Sequence, residues 1–376
     1  MAANSQLALS GDGDQRQTLI AVFLRGGADG LNMVAPFEDD GYFKARPRIA
    51  IKKEDSVQLD DFFGLNPLLS ELERPYKDGN LAIVHAAGSE DDTRSHFEAQ
   101  DLMEHGGLLM PGGWLGRFLR ALPDGGNGPL SAVAVGRSVP ECLRGAPAST
   151  VMESLDSFSL GKKAERMTAA LTRLYGLENN ALGNVAKDTF GAMKRIEKLR
   201  NEKYIPGNDA EYSYDEFSRG MQQVARLIKA RVGLTTVSID IGGWDSHFVQ
   251  SSVMDPLMPR LAKGLNSFYT DLGREMENTT VVVMTEFGRR VYENASFGTD
   301  HGRGSVMFVM GGGVKGGRVI ADWPSLDDKV LEGPGDLPVT TNYRNVLAPI
   351  LSRFGIDDKM RKVFPDYDLK PLDLFG

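Results

Sequence analysis

Short, continuous apolar runs recur along the chain, and each closes in glycine and polar residues. Leu19 to Leu24 runs into Arg25-Gly26-Gly27-Ala28-Asp29-Gly30, and Leu81 to Val84 leads to Gly88 and the acidic Glu90-Asp91-Asp92. Ser131 to Val135, Thr235 to Ile241, Thr279 to Thr285 and Val306 to Met310 share the β-branched character and the polar or glycine-containing exit of strands. Because these runs are continuous rather than alternating, both faces of each strand are expected to be covered, which predicts an α/β fold with a mainly parallel central sheet flanked by helices. Between the runs the period changes to that of a helix. Met167, Leu171 and Leu174 are spaced i, i+4, i+7, and Phe217, Met221, Val224 and Ile228 continue the same kind of stripe. Residues 164–231 are therefore predicted to form a helical insertion, divided by the Pro-Gly turn of Ile205-Pro206-Gly207-Asn208-Asp209. A helix from Tyr343 to Phe354, stopped by Gly355, is expected to end the fold.

Composition narrows the classes of function. The 376 residues read as one large sheet domain, 18–376, carrying that insertion, rather than as two domains. With 25% charged and 41% hydrophobic residues the chain has the balance of a folded globule, and a net charge of −8 offers no footprint for nucleic acid. One cysteine, Cys142, excludes an intramolecular disulfide framework and any multi-cysteine metal site. No run approaches the roughly 20 apolar residues of a membrane-spanning helix. The first 17 residues lack the basic start and apolar run of a secretory signal.

Chemistry-bearing residues collect where strands are expected to end, the usual ligand position in open α/β sheets. Asp29 follows the first run, Arg94-Ser95-His96 lies beyond the Leu81 run, and Gly242-Gly243-Trp244-Asp245-Ser246-His247 follows the Thr235 run. Glu286 leaves the Thr279 run directly in Glu286-Phe287-Gly288-Arg289, and Thr299-Asp300-His301-Gly302-Arg303-Gly304 precedes the Val306 run. Three of the five histidines, His96, His247 and His301, are thus in candidate site loops. In extended backbone, residues two apart point the same way, so Asp245 and His247 can close on one ion, and His301 would complete three protein ligands with one open position. The alternative is a capped turn with a buried histidine. Ser95-His96-Phe97-Glu98 fits a helix capping box, yet a helix start beside Arg94 also suits an anion and a serine nucleophile, and the two readings stay open. His105, at a helix end before Gly106-Gly107, and His85, inside an apolar run, read as structural. Gly311 to Gly317 lacks a P-loop ending, so nucleotide cofactors are not expected.

Taken together, Val22-Phe23-Leu24-Arg25-Gly26-Gly27-Ala28-Asp29-Gly30-Leu31-Asn32, Arg94-Ser95-His96-Phe97-Glu98-Ala99-Gln100, Gly243-Trp244-Asp245-Ser246-His247, Glu286-Phe287-Gly288-Arg289 and Thr299-Asp300-His301-Gly302-Arg303-Gly304 resemble the DUF1501 family. That family looks like a branch of the alkaline phosphatase and sulfatase superfamily. The resemblance implies an alkaline phosphatase-like fold and a metal-dependent hydrolase of phosphate or sulfate esters. It makes Asp29 the first-strand metal carboxylate, places Ser95 as nucleophile with Arg94, and gives Asp245, His247, Glu286 and His301 as metal ligands. Arg25, Arg289 and Arg303 become the groups that hold the anionic ester, since guanidinium pairs bidentately with such oxygens. Glu286-Phe287 stands where the superfamily has an Asp-His pair, and the 245/247 spacing is short. Both departures favour one divalent ion, or none, over two, with zinc first and calcium or manganese as alternatives. The expected partner is a small anionic ester. Relatives with twin-arginine signals imply a periplasmic or exported protein, whereas the visible N-terminus leaves a cytoplasmic one. A rival function is an inactive member of the superfamily that binds a carbohydrate or a protein partner, and a third is a metal-free esterase built on Ser95.

Overall fold

The structure is a computed structural model that describes residues 17–107, 111–123, 126, 128–155 and 181–376, with the side chains of 181–188 excepted. Its centre is a sheet whose strands are, in chain order, β1 (Thr18–Arg25), β2 (Leu81–Gly88), β3 (Ala132–Val135), β4 (Thr150–Met152), β5 (Thr236–Gly242), β6 (Thr279–Thr285), β7 (Ser305–Gly311), β8 (Arg318–Ile320) and β9 (Thr341–Asn342). Across the sheet the order is β8-β2-β7-β6-β1-β5-β3-β4, with β9 beside β2. All pairings are parallel except those of β7, which runs antiparallel to both β2 and β6.

β1 shows why its run is continuous. Ile20, Val22 and Leu24 point into one core, with Met221, Val224, Leu261 and Phe268, while Leu19, Ala21 and Phe23 point into another, with Trp114, Phe118, Val346 and Leu347. Both sets are buried, so the strand contributes apolar surface to two layers at once. The first layer holds α3 (Ala181–Asn201), α4 (Glu216–Lys229) and α5 (Gln250–Leu272), and the second holds α2 (Trp114–Ala121) and α6 (Tyr343–Ser352). A shorter helix, α1 (His96–Glu104), follows β2. Sheet and helices agree with the expected α/β architecture.

The insertion is seen in part. α3 and α4 lie between β4 and β5, and Phe217, Met221 and Val224 are buried as the stripe predicts; Met167, Leu171 and Leu174 lie outside the described residues. The Pro-Gly turn falls between the two helices. Among the described residues no helix is long and apolar enough to cross a membrane.

Candidate metal centre

β7 determines where the site forms. Because it runs opposite to its neighbours, its entrance lies at the same sheet edge as the exits of β1, β2, β5 and β6. The loop carrying His301 therefore meets the loops carrying His96, Asp245 and Glu286. Glycine permits the closeness: the Gly288 amide donates to the Arg303 carbonyl at 2.8 Å, and a Cβ on Gly288 would collide with the Gly304 carbonyl. Arg289 ties the edge together. Its fully buried guanidinium donates to the carbonyls of Gly27 at 2.6 Å and Thr299 at 3.1 Å, to the Gly26 carbonyl, and to Asp245 Oδ1 at 2.8 Å.

Single ligand atoms of His96, Asp245 and His301 lie within 4.8 Å of one another, a group that could hold a metal ion. His247 Nε2 adjoins it, 2.9 Å from His301 Nε2 and 3.2 Å from Asp245 Oδ1. The proton inventory makes the cluster informative. His96 Nδ1 faces Glu286 Oε1 at 2.8 Å, His247 Nδ1 faces Asp300 Oδ1 at 3.1 Å, and His301 Nδ1 faces the Arg94 carbonyl at 2.7 Å. Carbonyl and ionised carboxylate oxygens only accept, so each Nδ1 carries a proton, and the three Nε2 atoms face Asp245. Both carboxylates are ionised. Burial works to raise Glu286, but hydrogen bonds from His96, Gln100 and the Gly26 amide outweigh it and hold the carboxyl below its usual range. At Asp300 burial is likewise outweighed by His247 and Asn294.

His247 Nε2 and His301 Nε2 lie at hydrogen-bond distance, 2.9 Å, so either one of them carries a proton or a cation lies among them. A proton on His301 is disfavoured, since burial lowers its pKa more than the Arg94 carbonyl raises it. His96 Nε2 is buried without a hydrogen-bond partner, 3.5 Å from Asp245 Oδ2. Asp245 is ready to ligate: burial raises its carboxyl, but the hydrogen bond and charge of Arg289 bring the net shift down. Three imidazoles whose far nitrogens are held by acceptors, plus one carboxylate, fit a divalent metal of borderline softness. Phe287 walls the cluster, its ring 4.9 Å from those of both His96 and His301.

Other site residues expected from the sequence are placed differently. Asp29 is buried and spent: Arg46 donates to it at 2.6 and 3.0 Å and Gln250 at 2.7 Å, so it is not offered to the cluster. Glu286 stands behind His96 rather than beside it, since Oε1 already accepts from Gly26, His96 and Gln100, each at 2.8 Å. Ser95 is exposed and caps α1, accepting from the Glu98 amide at 3.5 Å; Glu98 turns to Thr93 instead of closing the box. The Arg94 side chain pairs with Asp336, and Arg303 pairs with Glu332 and the Glu90 carbonyl. Arg25 is taken by Asp240, Glu104 and Gln100, and Arg289 by the loop carbonyls. Each of the four arginines already has at least one carboxylate or carbonyl partner. His96 is the candidate ligand that the capping motif concealed: attention to the serine and glutamate of the box passes over the residue between them. His85 and His105 are structural in position, His85 wholly buried in β2 and His105 capping α1.

No curated protein matches the chain. Among solved structures, the PH0037 protein from Pyrococcus horikoshii is 12% identical, with 92% of this chain and 97% of that chain covered and a TM-score of 0.34. The C-terminal periplasmic domain of EcEptC from Escherichia coli, in complex with Zn, is 9% identical over 80% of this chain and 74% of its own, TM-score 0.33. Alkaline phosphatase from the Antarctic bacterium TAB5 is 11% identical over 79% and 91%, TM-score 0.28. Residues 82–368 match the family described as "Protein of unknown function (DUF1501)", a span that holds His96, Asp245, His247 and His301 and leaves out Asp29. The match extends over more than half of the sequence, and the chain belongs to the DUF1501 family.

Proposed function

We propose that this chain hydrolyses phosphate or sulfate esters with the help of one divalent metal held by His96, Asp245, His247 and His301. The observation that carries the reading is the approach of the His96, His247 and His301 Nε2 atoms to the Asp245 carboxylate, at 3.5, 3.2 and 3.5 Å, with every far imidazole nitrogen facing an acceptor. Zinc suits three nitrogens and one oxygen, and manganese is the second choice; calcium, which takes oxygen ligands, fits poorly. When bound, the ion supplies a Lewis acid for the ester and charge for the developing anion. The chain's own residues orient and exclude. Glu286 and Asp300 fix the planes of His96 and His247, the Arg94 carbonyl fixes His301, Arg289 holds Asp245 ionised, and Phe287 keeps water from one side. Ser95, engaged as a helix cap, is left as a positioning residue, and water is the attacking group. The substrate is a small anionic ester, and the protein works in the periplasm or outside the cell.

The test is metal content after reconstitution with zinc or manganese, in wild type beside His96→Ala, His301→Ala and Asp245→Asn, followed by a panel of phosphomonoester, phosphodiester and sulfate ester substrates. One equivalent of metal in wild type, lost in the variants, with turnover abolished in Asp245→Asn, is expected; a wild type that retains no metal removes the mechanism. One observation favours a second reading, a catalytically silent member that binds a carbohydrate or a protein. All four arginines available to hold an anion are already paired, and wild type that binds metal yet turns over no ester would favour it.

A further inference from the structure

Exposed apolar residues directly follow two of the candidate ligands, and another lies on the turn beside His247. The residue after His96 is Phe97, 85% exposed, and the residue after His247 is Phe248, 71% exposed, with Val249 and Phe297 each 49% exposed. The Phe248 ring lies 6.4 Å from that of His247. Phe297 is at the tip of a turn whose Asn294 donates to the His247 carbonyl at 2.9 Å, and the Arg48 guanidinium lies 4.2 Å from the centre of the Phe297 ring.

The backbone is strained to put them there. Val249 has φ 40° and Phe297 φ 59°, values that a β-branched or aromatic residue rarely adopts. Hydrogen bonds hold the two strained segments together: the Val249 amide donates to the Ser296 carbonyl at 2.9 Å, and the Gln250 amide to the Phe297 carbonyl at 2.8 Å. Apolar groups are kept in water, two of them in strained conformations, next to the candidate metal centre. Burial in the core does not account for this placement.

We infer that Phe97, Phe248, Val249 and Phe297 form the specificity surface of the centre and receive an apolar alcohol portion of the ester, aryl or alkyl. The inference rests on the proposed hydrolase reading and names its substrate class. Three alternatives fit less well. Phenylalanine and valine side chains offer no hydrogen bonds, which a sugar or polyol needs alongside stacking. Their exposed area, on the order of 500 Å² at most, is below the roughly 800 Å² per side of a stable protein interface. A bilayer would be met with unpaired basic residues, whereas Arg48 beside Phe297 is paired with Glu293, Asp245 and Asp300 lie at the centre, and the chain carries a net charge of −8.

Binding rather than turnover tests it. Zinc-loaded wild type, Phe97→Ala, Phe248→Ala and Phe297→Ala are titrated calorimetrically with 1-naphthyl phosphate, 1-naphthyl sulfate and glycerol phosphate, and mixed with phosphatidylcholine vesicles. Melting curves and a Phe248→Trp variant, which keeps the apolar surface, guard against misfolding. Wild type is expected to bind a naphthyl ester about tenfold more tightly than glycerol phosphate, and each alanine to lose about three- to tenfold on naphthyl esters alone. No preference for naphthyl over glycerol, an equal loss on all ligands, or co-sedimentation with vesicles would each overturn the assignment. Tight naphthyl binding without turnover leaves the rim standing and removes the hydrolase.

Discussion

Each imidazole of the centre is as well placed as the acceptor behind it. Glu286 Oε1 accepts three hydrogen bonds, and a glutamine at 286 would have to meet them with a neutral amide oxygen. Glu286→Gln is expected to weaken metal binding by about 10- to 100-fold without unfolding the chain, read by competition with a chromogenic chelator. His85 makes a different test. It is wholly buried, faces the Val34 carbonyl through Nε2 at 2.9 Å, accepts from the Ala86 amide, and burial lowers its pKa to about 4. Below pH ~6.5 the unfolded chain takes up a proton that the folded chain refuses until about pH 4, so stability is full above the first value and falls between the two. At pH 5 wild type should have lost about 2 kcal/mol relative to pH 7 through this group, and His85→Gln should flatten that limb in urea titrations. The structural roles of His85 and His105 could be read from the sequence because strand and helix-end context decide them locally. The arginines could not. Whether Arg25 faces solvent or Asp240 depends on a partner 215 residues away, and Asp29 is claimed by Arg46 and Gln250 from separate elements.

At the scale of elements, the six apolar runs became strands within a residue or so at most of their ends, because two-sided burial leaves a continuous signature. The strands of the central sheet that escaped, β4, β8 and β9, are two or three residues long at or near its margin, too short to show a period. The largest omission is α5, 23 residues that contain Pro256 and Pro259 and start at the strained Val249; local rules read such prolines as breaks, whereas packing against α4 and the sheet holds the helix together. α5 also anchors the segment between α3 and α4. Its buried Asp271 accepts from Tyr204 at 2.6 Å, Tyr212 at 2.8 Å and the Gly207 amide at 2.6 Å, and pairs with Lys229 at 2.5 Å. Removing the charge leaves those donors short of an acceptor. Asp271→Ala is expected to cost about 3 kcal/mol in denaturant titrations and to open residues 202–215 to limited proteolysis.

For the molecule as a whole, a cation that enters this cluster binds the folded chain and finds no such site in the unfolded one. At free zinc about 100 times the dissociation constant, the folded state should gain about 2.7 kcal/mol, seen as a higher urea midpoint that chelator reverses and His301→Ala lacks. The reversed direction of β7 also sets an order of events during synthesis. Residues 96 and 245 emerge first, but His301 arrives at their edge only after β7 has inserted between β2 and β6. A nascent chain that has not yet passed residue 311 cannot seat β7 and therefore lacks the last imidazole. Metal loading at the proposed centre would then follow the seating of β7, with β8 and β9 still to join the sheet.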